Sequence, residues 1–317
     1  MFQDCRFSIF DCRLEMGTPD AEKHPGSILG DLYPFASHFL NIDGNRLHYL
    51  DEGSGPPIVM LHGNPTWSFY YRELIKGLRD RYRLVAVDHM GCGLSDKPRT
   101  YPYTLATHID NVTRLIDHLG LNDVTLVVHD WGGPIGFGWA TRHMDRVAQF
   151  VVFNTAAFLG GRMPLRIRLC RCPLVGEVAL LRFNAFARAA LHMATAKPER
   201  MTSEVRRGYL LPYDRPSNRV AILRFVRDIP LTPQVPSHSV VREIEAGLHR
   251  LSDRPMLICW GMKDWCFTPR FLAEWERRFP GAVVHGFPDA GHYVVEDAHE
   301  RVLPLMREFL APSDLST

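Results

Sequence analysis

The sequence predicts an α/β fold, with a mostly parallel central sheet flanked by helices and an inserted helical cap. Short apolar runs typical of buried parallel strands alternate with helical stretches on both sides of a long middle segment. That segment, residues 158–250, is rich in Leu, Phe, Met, Arg and Pro and has no clear strand pattern. We therefore expect a core of residues 33–157 and 251–314, a cap of 158–250, and a disordered N-terminal extension of 1–32.

Five predicted strands carry this prediction, two of them, 123–128 and 255–261, expected to be buried. Each is a short apolar run bounded by turn-forming residues. Reactive groups in open α/β sheets gather beyond the carboxyl ends of the strands, so the loops that follow these runs are the expected functional positions. The predicted strands are 57–61, 123–128, 146–153, 255–261 and 282–287.

The most informative loop follows the strand 123–128, where the chain reads Val-His-Asp-Trp-Gly-Gly before a predicted helix at 134–139. This strand-turn-helix context places Asp130 where a nucleophile elbow usually carries serine. The glycines let the helix and strand approach closely, and the helix N-terminus favours an ionised carboxylate. An ionised aspartate can attack saturated carbon directly and leave an alkyl ester on the protein. An aspartate that only caps the following helix is the alternative, and the motif alone gives the two interpretations similar weight.

Two further residues complete a candidate catalytic triad. Asp264 lies just beyond the predicted strand 255–261, and His292 follows the strand 282–287 within Asp-Ala-Gly-His-Tyr. The chain order of nucleophile, acid and histidine is the order expected when such an elbow is present. His292 is the candidate base, and Asp264 would hold its imidazole in the useful tautomer. The sequence has 15 histidines, and we interpret His62, His89 and His129 as structural.

The loop after the strand 57–61 supplies the candidate oxyanion wall. The backbone N–H groups of Asn64 and Trp131 would point at charge developing on the Asp130 ester carbonyl. The Asn64 amide and the Trp131 indole are side-chain donors that could hold a leaving anion or a lactone oxygen. A turn asparagine and a buried aromatic are the alternatives, and the elbow favours the functional interpretation.

Together these motifs resemble the haloalkane dehalogenase superfamily of α/β-hydrolases. Within it, the sequence is more similar to the β-lactone decarboxylases of bacterial long-chain olefin biosynthesis, over a stretch from about Tyr33 to Leu310. The cap motifs distinguish the two groups. The segments that carry the resemblance are 62–72, 88–98, 153–158, 183–186 and 289–294.

The resemblance implies decarboxylation of a cis-3-alkyl-4-alkyloxetan-2-one to a cis-alkene and carbon dioxide, without a metal or organic cofactor. Asp130 would attack the ring carbon that bears oxygen; attack on the lactone carbonyl, giving an anhydride, is the alternative. In a dehalogenase His292 would activate water, whereas its step in decarboxylation is left open. The implied substrate is a hydrophobic long-chain lactone, and the implied partner is the β-lactone synthetase of the same pathway.

Three rival functions stay open at this stage. A haloalkane dehalogenase would use Asn64 and Trp131 to bind halide. An epoxide hydrolase would use cap tyrosines, for which Tyr209 and Tyr213 are available, although Asn64 fits that class poorly. A non-catalytic receptor for a small ligand would have no need of the complete triad.

Composition sets the remaining limits. The chain has 317 residues, a formal net charge of +2 and 46% hydrophobic residues, which is typical of a globular enzyme and argues against nucleic-acid binding. No stretch is apolar enough to span a membrane, and the N-terminus lacks the features of a secretory signal, so we expect a cytoplasmic protein. Met16 is an alternative start. The seven cysteines indicate neither a disulfide framework nor a zinc site.

The cap contains two groups of side chains with open roles. Its apolar residues would either line a tunnel for alkyl chains or only pack the cap onto the core; these are Leu180, Leu181, Phe183 and Phe186. Its arginines would either dock a partner enzyme or another acidic surface, or form a solvated helix face. These are Arg162, Arg166, Arg168 and Arg171.

Overall fold

The computed structural model describes residues 28–160 and 163–311. Most of the predicted extension 1–32, including the alternative start at Met16, therefore lies outside the described residues. Within the extension, Gly30–Leu32 form a single 3-10 turn. The main body of the protein begins at Phe35.

The main body is built on an eight-stranded sheet in the order β1-β2-β4-β3-β5-β6-β7-β8. The first two strands pair antiparallel, as do β2 and β4, and all other pairings are parallel. The predicted, mostly parallel sheet is thus confirmed. The strands are β1 His38–Ile42, β2 Asn45–Glu52, β3 Pro57–Leu61, β4 Arg83–Val87, β5 Val124–Asp130, β6 Val147–Thr155, β7 Met256–Gly261 and β8 Val283–Phe287.

Four of the five predicted strands correspond to central strands, whereas the fifth, 282–287, corresponds to β8 at the edge of the sheet, where only Phe287 is buried. Every residue of β5 is buried, because helices cover both faces of the sheet. The prediction did not include β1, β2 or β4, of which β1 and β2 lie at one side of the sheet and mix polar with apolar residues.

In the part of the chain that the structure describes, five helices outside the cap flank the sheet. The second of them begins after Thr104, whose side chain accepts the backbone N–H of Thr107 and so caps the helix. The last one departs from helical geometry at Ala298 and contains Pro304. These helices are α1 Arg72–Leu78, α2 Leu105–His118, α3 Gly132–Ala140, α9 Pro269–Arg278 and α10 Val294–Leu310.

Between β6 and β7 the described chain forms helices and turns, and the predicted cap falls in this interval. A cluster of buried side chains that includes Leu180, Tyr213 and Leu223 holds the cap helices together. Two helices of the interval also contribute to the core cluster, through Phe225 and Ile244, and Ile244 lies close to Gly138 of α3. The longer elements are α4 Leu165–Cys170, a π-helix Val178–Arg182, α5 Ala185–Met193, α6 Ser203–Leu210, α7 Val220–Asp228 and α8 Pro236–Gly247.

In the described ranges, we find no helix that combines the length and the apolar character needed to cross a membrane.

Candidate active site

The turn between β5 and α3 presents Asp130 in a left-handed backbone conformation, with φ at 50°. Such a conformation is uncommon for a residue other than glycine and is typical of strained functional turns. The turn is tight, since a Cβ atom at Gly132 would lie 1.9 Å from the Leu61 carbonyl oxygen and one at Gly133 would lie 1.9 Å from Thr155 Oγ1. The two glycines therefore allow α3 to start directly against the neighbouring strands, as predicted for the elbow.

The two oxygens of the Asp130 carboxylate have different environments. Oδ1 accepts the backbone N–H of Asn64 at 2.7 Å, and the backbone N–H of Trp131 also donates to the carboxylate. Oδ2 faces His292, with 3.7 Å between it and Nε2. Burial raises the pKa of Asp130 above its usual value, and His292 and the two N–H donors offset only part of this effect. The predicted preference of the helix N-terminus for an ionised carboxylate is therefore outweighed by burial.

His292 is held by a second carboxylate. Its Nδ1–H donates to Asp264 Oδ2 at 2.7 Å, and Asp264 Oδ1 accepts the Cys266 backbone N–H at 2.6 Å. Burial opposes a charged imidazole, but Asp264 and Asp130 outweigh it, so the pKa of His292 is raised. The separation of 3.7 Å between Nε2 and Asp130 Oδ2 is too long for a hydrogen bond. The imidazole thus faces the free oxygen of Asp130 across a small gap.

The three histidines interpreted as structural are buried and hydrogen-bonded to the backbone. His129 Nε2 donates to the His292 carbonyl at 2.9 Å and so helps to hold the loop that carries His292. His62 Nδ1 lies 2.7 Å from the Gly63 carbonyl oxygen, and His89 Nε2 lies 3.0 Å from the His62 carbonyl oxygen. Burial lowers the pKa of each of the three.

Asn64 and Trp131 both line a cavity in front of Asp130. The Asn64 amide Nδ2 donates to the Ile222 carbonyl in α7 at 3.2 Å, while its Oδ1 is buried and has no partner among the described residues. The Trp131 indole lies against Phe225, with ring centroids 5.3 Å apart. A role for the Asn64 amide in holding an anion must therefore coexist with its bond to the cap.

The cavity has a volume of about 600 Å³ and lies between the core and the cap. Most of its lining is apolar, with Asp130 and His292 exposed to it. A cavity of this size and character suits an apolar organic molecule larger than a few carbon atoms. Representative apolar lining residues are Phe158, Met163, Ile167, Leu180, Phe186 and Val241.

Some of the cap residues whose roles were left open line the cavity, and others pack within the cap or are exposed on its surface. Leu180 and Phe186 line the cavity, whereas Leu181 packs against the cap cluster and Phe183 is exposed. Arg166 lines the cavity, with its guanidinium 5.6 Å from the centre of a Trp265 ring. Arg171 donates to the carbonyls of Val226 and Ile229, Arg168 is exposed, and Arg162 lies outside the described residues.

The tyrosines considered for epoxide activation do not line the cavity. Tyr209 is buried and donates to Glu296 Oε1 at 2.6 Å, and Tyr213 donates to the Thr66 carbonyl at 3.3 Å. Both hydroxyls are thus engaged in joining the cap to the core, which removes the feature that favoured an epoxide hydrolase.

Two adjacent carboxylates in the first turn of α10, Glu296 and Asp297, support the site and were not predicted to do so from the sequence. The Glu296 carboxylate accepts hydrogen bonds from the Arg72 guanidinium and the Tyr209 hydroxyl. The Asp297 carboxylate accepts the backbone N–H groups of Gly291 and of Ala196 in the cap. The available signal was two adjacent carboxylates in the first turn of a helix that begins inside the candidate histidine motif. In the described ranges, no group of three or more His, Cys, Asp or Glu side chains is arranged to hold a metal ion.

Comparisons with known proteins identify the family of the chain. The family described as the alpha/beta hydrolase fold matches residues 56–298. A protein of Shewanella oneidensis named cis-3-alkyl-4-alkyloxetan-2-one decarboxylase is 43% identical, over 90% of this chain and 92% of its own length. A Mycobacterium tuberculosis protein named haloalkane dehalogenase 2 is 36% identical, over 86% of this chain and 93% of its own.

A solved structure gives the same result for the fold. The crystal structure of a haloalkane dehalogenase from Agrobacterium tumefaciens superposes with a TM-score of 0.77 and 29% identity, covering 87% of this chain and 96% of that one. The sequence is thus more similar to the decarboxylase than to either dehalogenase. The chain belongs to the α/β-hydrolase fold family and, within it, to the branch of the cis-3-alkyl-4-alkyloxetan-2-one decarboxylases.

Proposed function

We propose that this protein decarboxylates cis-3-alkyl-4-alkyl-β-lactones to cis-alkenes and carbon dioxide. The observation that carries the proposal is a nucleophilic carboxylate, Asp130, facing an apolar cavity of about 600 Å³. The name of the relatives at 43% identity supports the same reaction. We assign Asp130 as nucleophile, His292 and Asp264 as the charged pair that assists it, and Asn64 and Trp131 as substrate-binding residues.

The first step forms a bond between Asp130 Oδ2 and the ring carbon that carries the ring oxygen. The bond between that carbon and the ring oxygen breaks, and its electron pair stays on the oxygen, which becomes part of a free carboxylate. The product is an alkyl ester on Asp130 with inverted configuration at carbon. The backbone N–H groups on Oδ1 fix the carboxylate so that Oδ2 is the atom presented to the substrate.

The second step releases both products. The carbon–carbon bond to the carboxylate breaks as carbon dioxide leaves, its electron pair forms the double bond, and Asp130 departs with the electrons of its ester bond. Inversion followed by anti departure gives overall syn loss, so a cis lactone yields a cis alkene. Neither step gains or loses a proton or consumes water, and no metal or organic cofactor is needed.

His292 assists through its charge in this scheme. Its imidazole is favoured in the protonated form by Asp264 and Asp130, and it faces Oδ2 at 3.7 Å. A cation there stabilises the Asp130 carboxylate as it leaves in the second step. Asp264 keeps the ring oriented through the bond to Nδ1.

The apolar lining supports a long-chain, water-insoluble substrate. Such a lactone passes poorly through water, which favours direct transfer from the enzyme that forms it. We therefore extend the proposal to a partner, the β-lactone synthetase of the same pathway, and to a cytoplasmic location.

Product analysis tests the reaction. Purified protein receives a long-chain cis-β-lactone or, separately, a long-chain 1-haloalkane, and alkene, carbon dioxide, alcohol and halide are quantified. We expect alkene and carbon dioxide in equal amounts from the lactone and little halide release. Rapid halide and alcohol formation with an untouched lactone would make the protein a dehalogenase instead.

Two variants accompany this experiment. Asp130→Asn keeps the size of the side chain but removes the nucleophile, and we expect lactone turnover to fall by about 10⁴-fold or more. Asp289→Asn makes the same chemical change at an exposed carboxylate that pairs with Lys197 and Arg301, and should leave turnover nearly unchanged. Equal activity of the Asp130→Asn variant and the wild type would refute the assignment of the nucleophile.

A further inference from the structure

The exposed apolar side chains of this protein concentrate on one part of the cap. Five of the large ones lie within residues 163–183, which we call the cap rim, and they are 53–75% exposed. Large exposed apolar residues that occur singly are ordinary, but a concentration of them marks an interaction surface. The five are Leu165, Leu169, Leu174, Val178 and Phe183.

The first helix of the cap rim has two apolar faces. Leu165 and Leu169 are spaced by one helical turn in α4 and share its outer face. Ile167 and Cys170 pack on the opposite side, against the buried cap cluster. The inner face therefore accounts for the fold, and the outer leucines are left without a partner in the described part of the chain.

The cap rim is also basic. Arg166, Arg168 and Arg182 are exposed, and none of them forms an ion pair with a described residue. The only acidic residue of the segment, Glu177, is paired with Arg227 at 3.3 Å. The exposed positive charges of this surface are thus available to an external anion.

This surface is continuous with the cavity. Leu169 and Arg166 are exposed to solvent and also line the cavity in front of Asp130, so the cap rim borders its opening. Leu231, which is 43% exposed, has the same double placement. A molecule that leaves an apolar phase at the cap rim meets the opening directly.

We propose that the cap rim docks on an anionic phospholipid surface, from which the substrate enters the cavity. Arginines beside exposed leucines match a lipid interface, where the cations pair with phosphates and the apolar side chains enter the acyl region. The apolar residues occur on several short segments, as suits a fluid surface that needs no shaped recess. The inference rests on the proposed function only for the identity of the molecule that is transferred.

Vesicle sedimentation tests the docking directly. Wild type is mixed with vesicles of phosphatidylcholine alone or with an equal amount of phosphatidylglycerol, and we expect binding only to the anionic vesicles, weakened by salt. A charge variant, Arg168→Gln with Arg182→Gln, and an apolar variant, Leu165→Gln with Phe183→Gln, should each weaken binding at least about tenfold. None of these four residues lines the cavity.

Matched controls carry the same changes elsewhere. Phe39→Gln with Val283→Gln alters two exposed apolar residues outside the cap, and Arg81→Gln with Arg270→Gln alters two exposed arginines; both pairs should bind vesicles like the wild type. Equal binding by all variants, or no vesicle binding by the wild type, would overturn the proposal. Retention on immobilised polyglutamate without vesicle binding would also overturn it and assign the surface to an acidic protein.

Activity separates this proposal from the proposed function. Asp130→Asn should bind vesicles like the wild type, because docking does not need turnover. With lactone supplied in anionic vesicles, the apolar variant should turn over at least about tenfold more slowly, whereas a short, water-soluble lactone should be processed at the wild-type rate. A wild type that binds vesicles but acts on no lactone would refute the proposed function and leave the docking surface standing.

Discussion

The Asp297 carboxylate accepts the backbone N–H of Gly291 at 2.7 Å and thereby fastens the loop that carries His292 to the first turn of α10. The same carboxylate accepts the N–H groups of Ala196 and Lys197 and the hydroxyl of Thr195, all in the cap. Asp297 is fully buried. One carboxylate therefore joins the histidine loop, the core helix and the cap.

Replacing the Asp297 carboxylate is expected to weaken the contacts that hold the His292 loop in place. In Asp297→Asn an amide NH₂ replaces one oxygen among four donors, and we expect the free energy of unfolding to fall by about 3 kcal/mol. The displaced loop should lower kcat for the lactone more than it changes KM. Chemical denaturation and steady-state kinetics measure the two effects.

The control for this variant is Asp289→Asn, in the same loop but exposed. It should change both quantities far less. Equal effects of the two variants would mean that the contacts of Asp297 have no special part in holding His292.

A methyl group at the elbow tests the tightness of the turn. Gly132→Ala would place a Cβ atom 1.9 Å from the Leu61 carbonyl oxygen, so β3 and α3 must separate. We expect a loss of about 3 kcal/mol or more in the free energy of unfolding, and loss of lactone turnover. Gly281→Ala, where the new Cβ meets nothing within 4 Å, should be close to neutral in the same thermal and chemical denaturation experiments.

The sequence predicted the parts of the site that follow from chain order. Asp130, Asp264 and His292 each lie at or beyond the carboxyl end of a predicted strand, and parallel strands end at one edge of the sheet, so their convergence can be inferred without a structure. Asn64 follows the strand 57–61, so its position near the site could be predicted in the same way. Their catalytic roles stay predictions.

Other features depend on tertiary contacts between distant segments. No local sequence pattern predicts that Asp297 accepts a hydrogen bond from the Ala196 backbone. Nor does one predict that the Tyr209 hydroxyl donates to Glu296 and does not line the cavity. The strands β1 and β2 were missed because they mix polar and apolar residues at one side of the sheet. The raised pKa of Asp130 depends on how deeply the folded chain buries it, which sequence alone does not give.

The raised pKa of Asp130 predicts a conflict between stability and activity. Because the folded-state pKa lies above the usual 3.8, the folded protein holds this proton more tightly than the unfolded chain. Stability from this group is thus fully present below about pH 3.8 and is lost as the pH rises through the folded-state pKa. Near neutral pH, Asp130→Asn should therefore unfold at a higher temperature than the wild type although it is inactive.

The gain should shrink as the pH is lowered toward the usual pKa of aspartate. Thermal unfolding is followed across this range in the wild type and the variant. The pair is repeated in a His292→Gln background, so that loss of the attraction between His292 and Asp130 does not obscure the result. A gain in unfolding temperature that is independent of pH would contradict the assignment.

The cavity lining predicts control of chain length. Ala179 lines the cavity, and Ala179→Phe fills part of it. Leu181, two residues further along the chain, packs against the cap cluster and does not line the cavity, so Leu181→Phe is the control. We expect kcat/KM for the longest lactones to fall at least about tenfold in Ala179→Phe, while short lactones are processed at nearly the wild-type rate. A uniform decrease for all chain lengths would mean that alkyl chains occupy another part of the cavity.

His292, whose Nε2 lies 3.7 Å from Asp130 Oδ2, is expected to have different roles in decarboxylation and in hydrolysis. Removing carbon dioxide from the alkyl ester moves no proton, so His292→Gln should slow lactone turnover by roughly 10²-fold, less than Asp130→Asn does, through loss of the nearby positive charge. Hydrolysis of an alkyl ester needs a base to activate water, so the same variant given a haloalkane should retain the alkyl group on Asp130. Intact-protein mass spectrometry of the His292→Gln variant distinguishes the two reactions. We expect a stable adduct with the haloalkane and none with the lactone. A stable adduct with the lactone would show that His292 is required for the second step of decarboxylation.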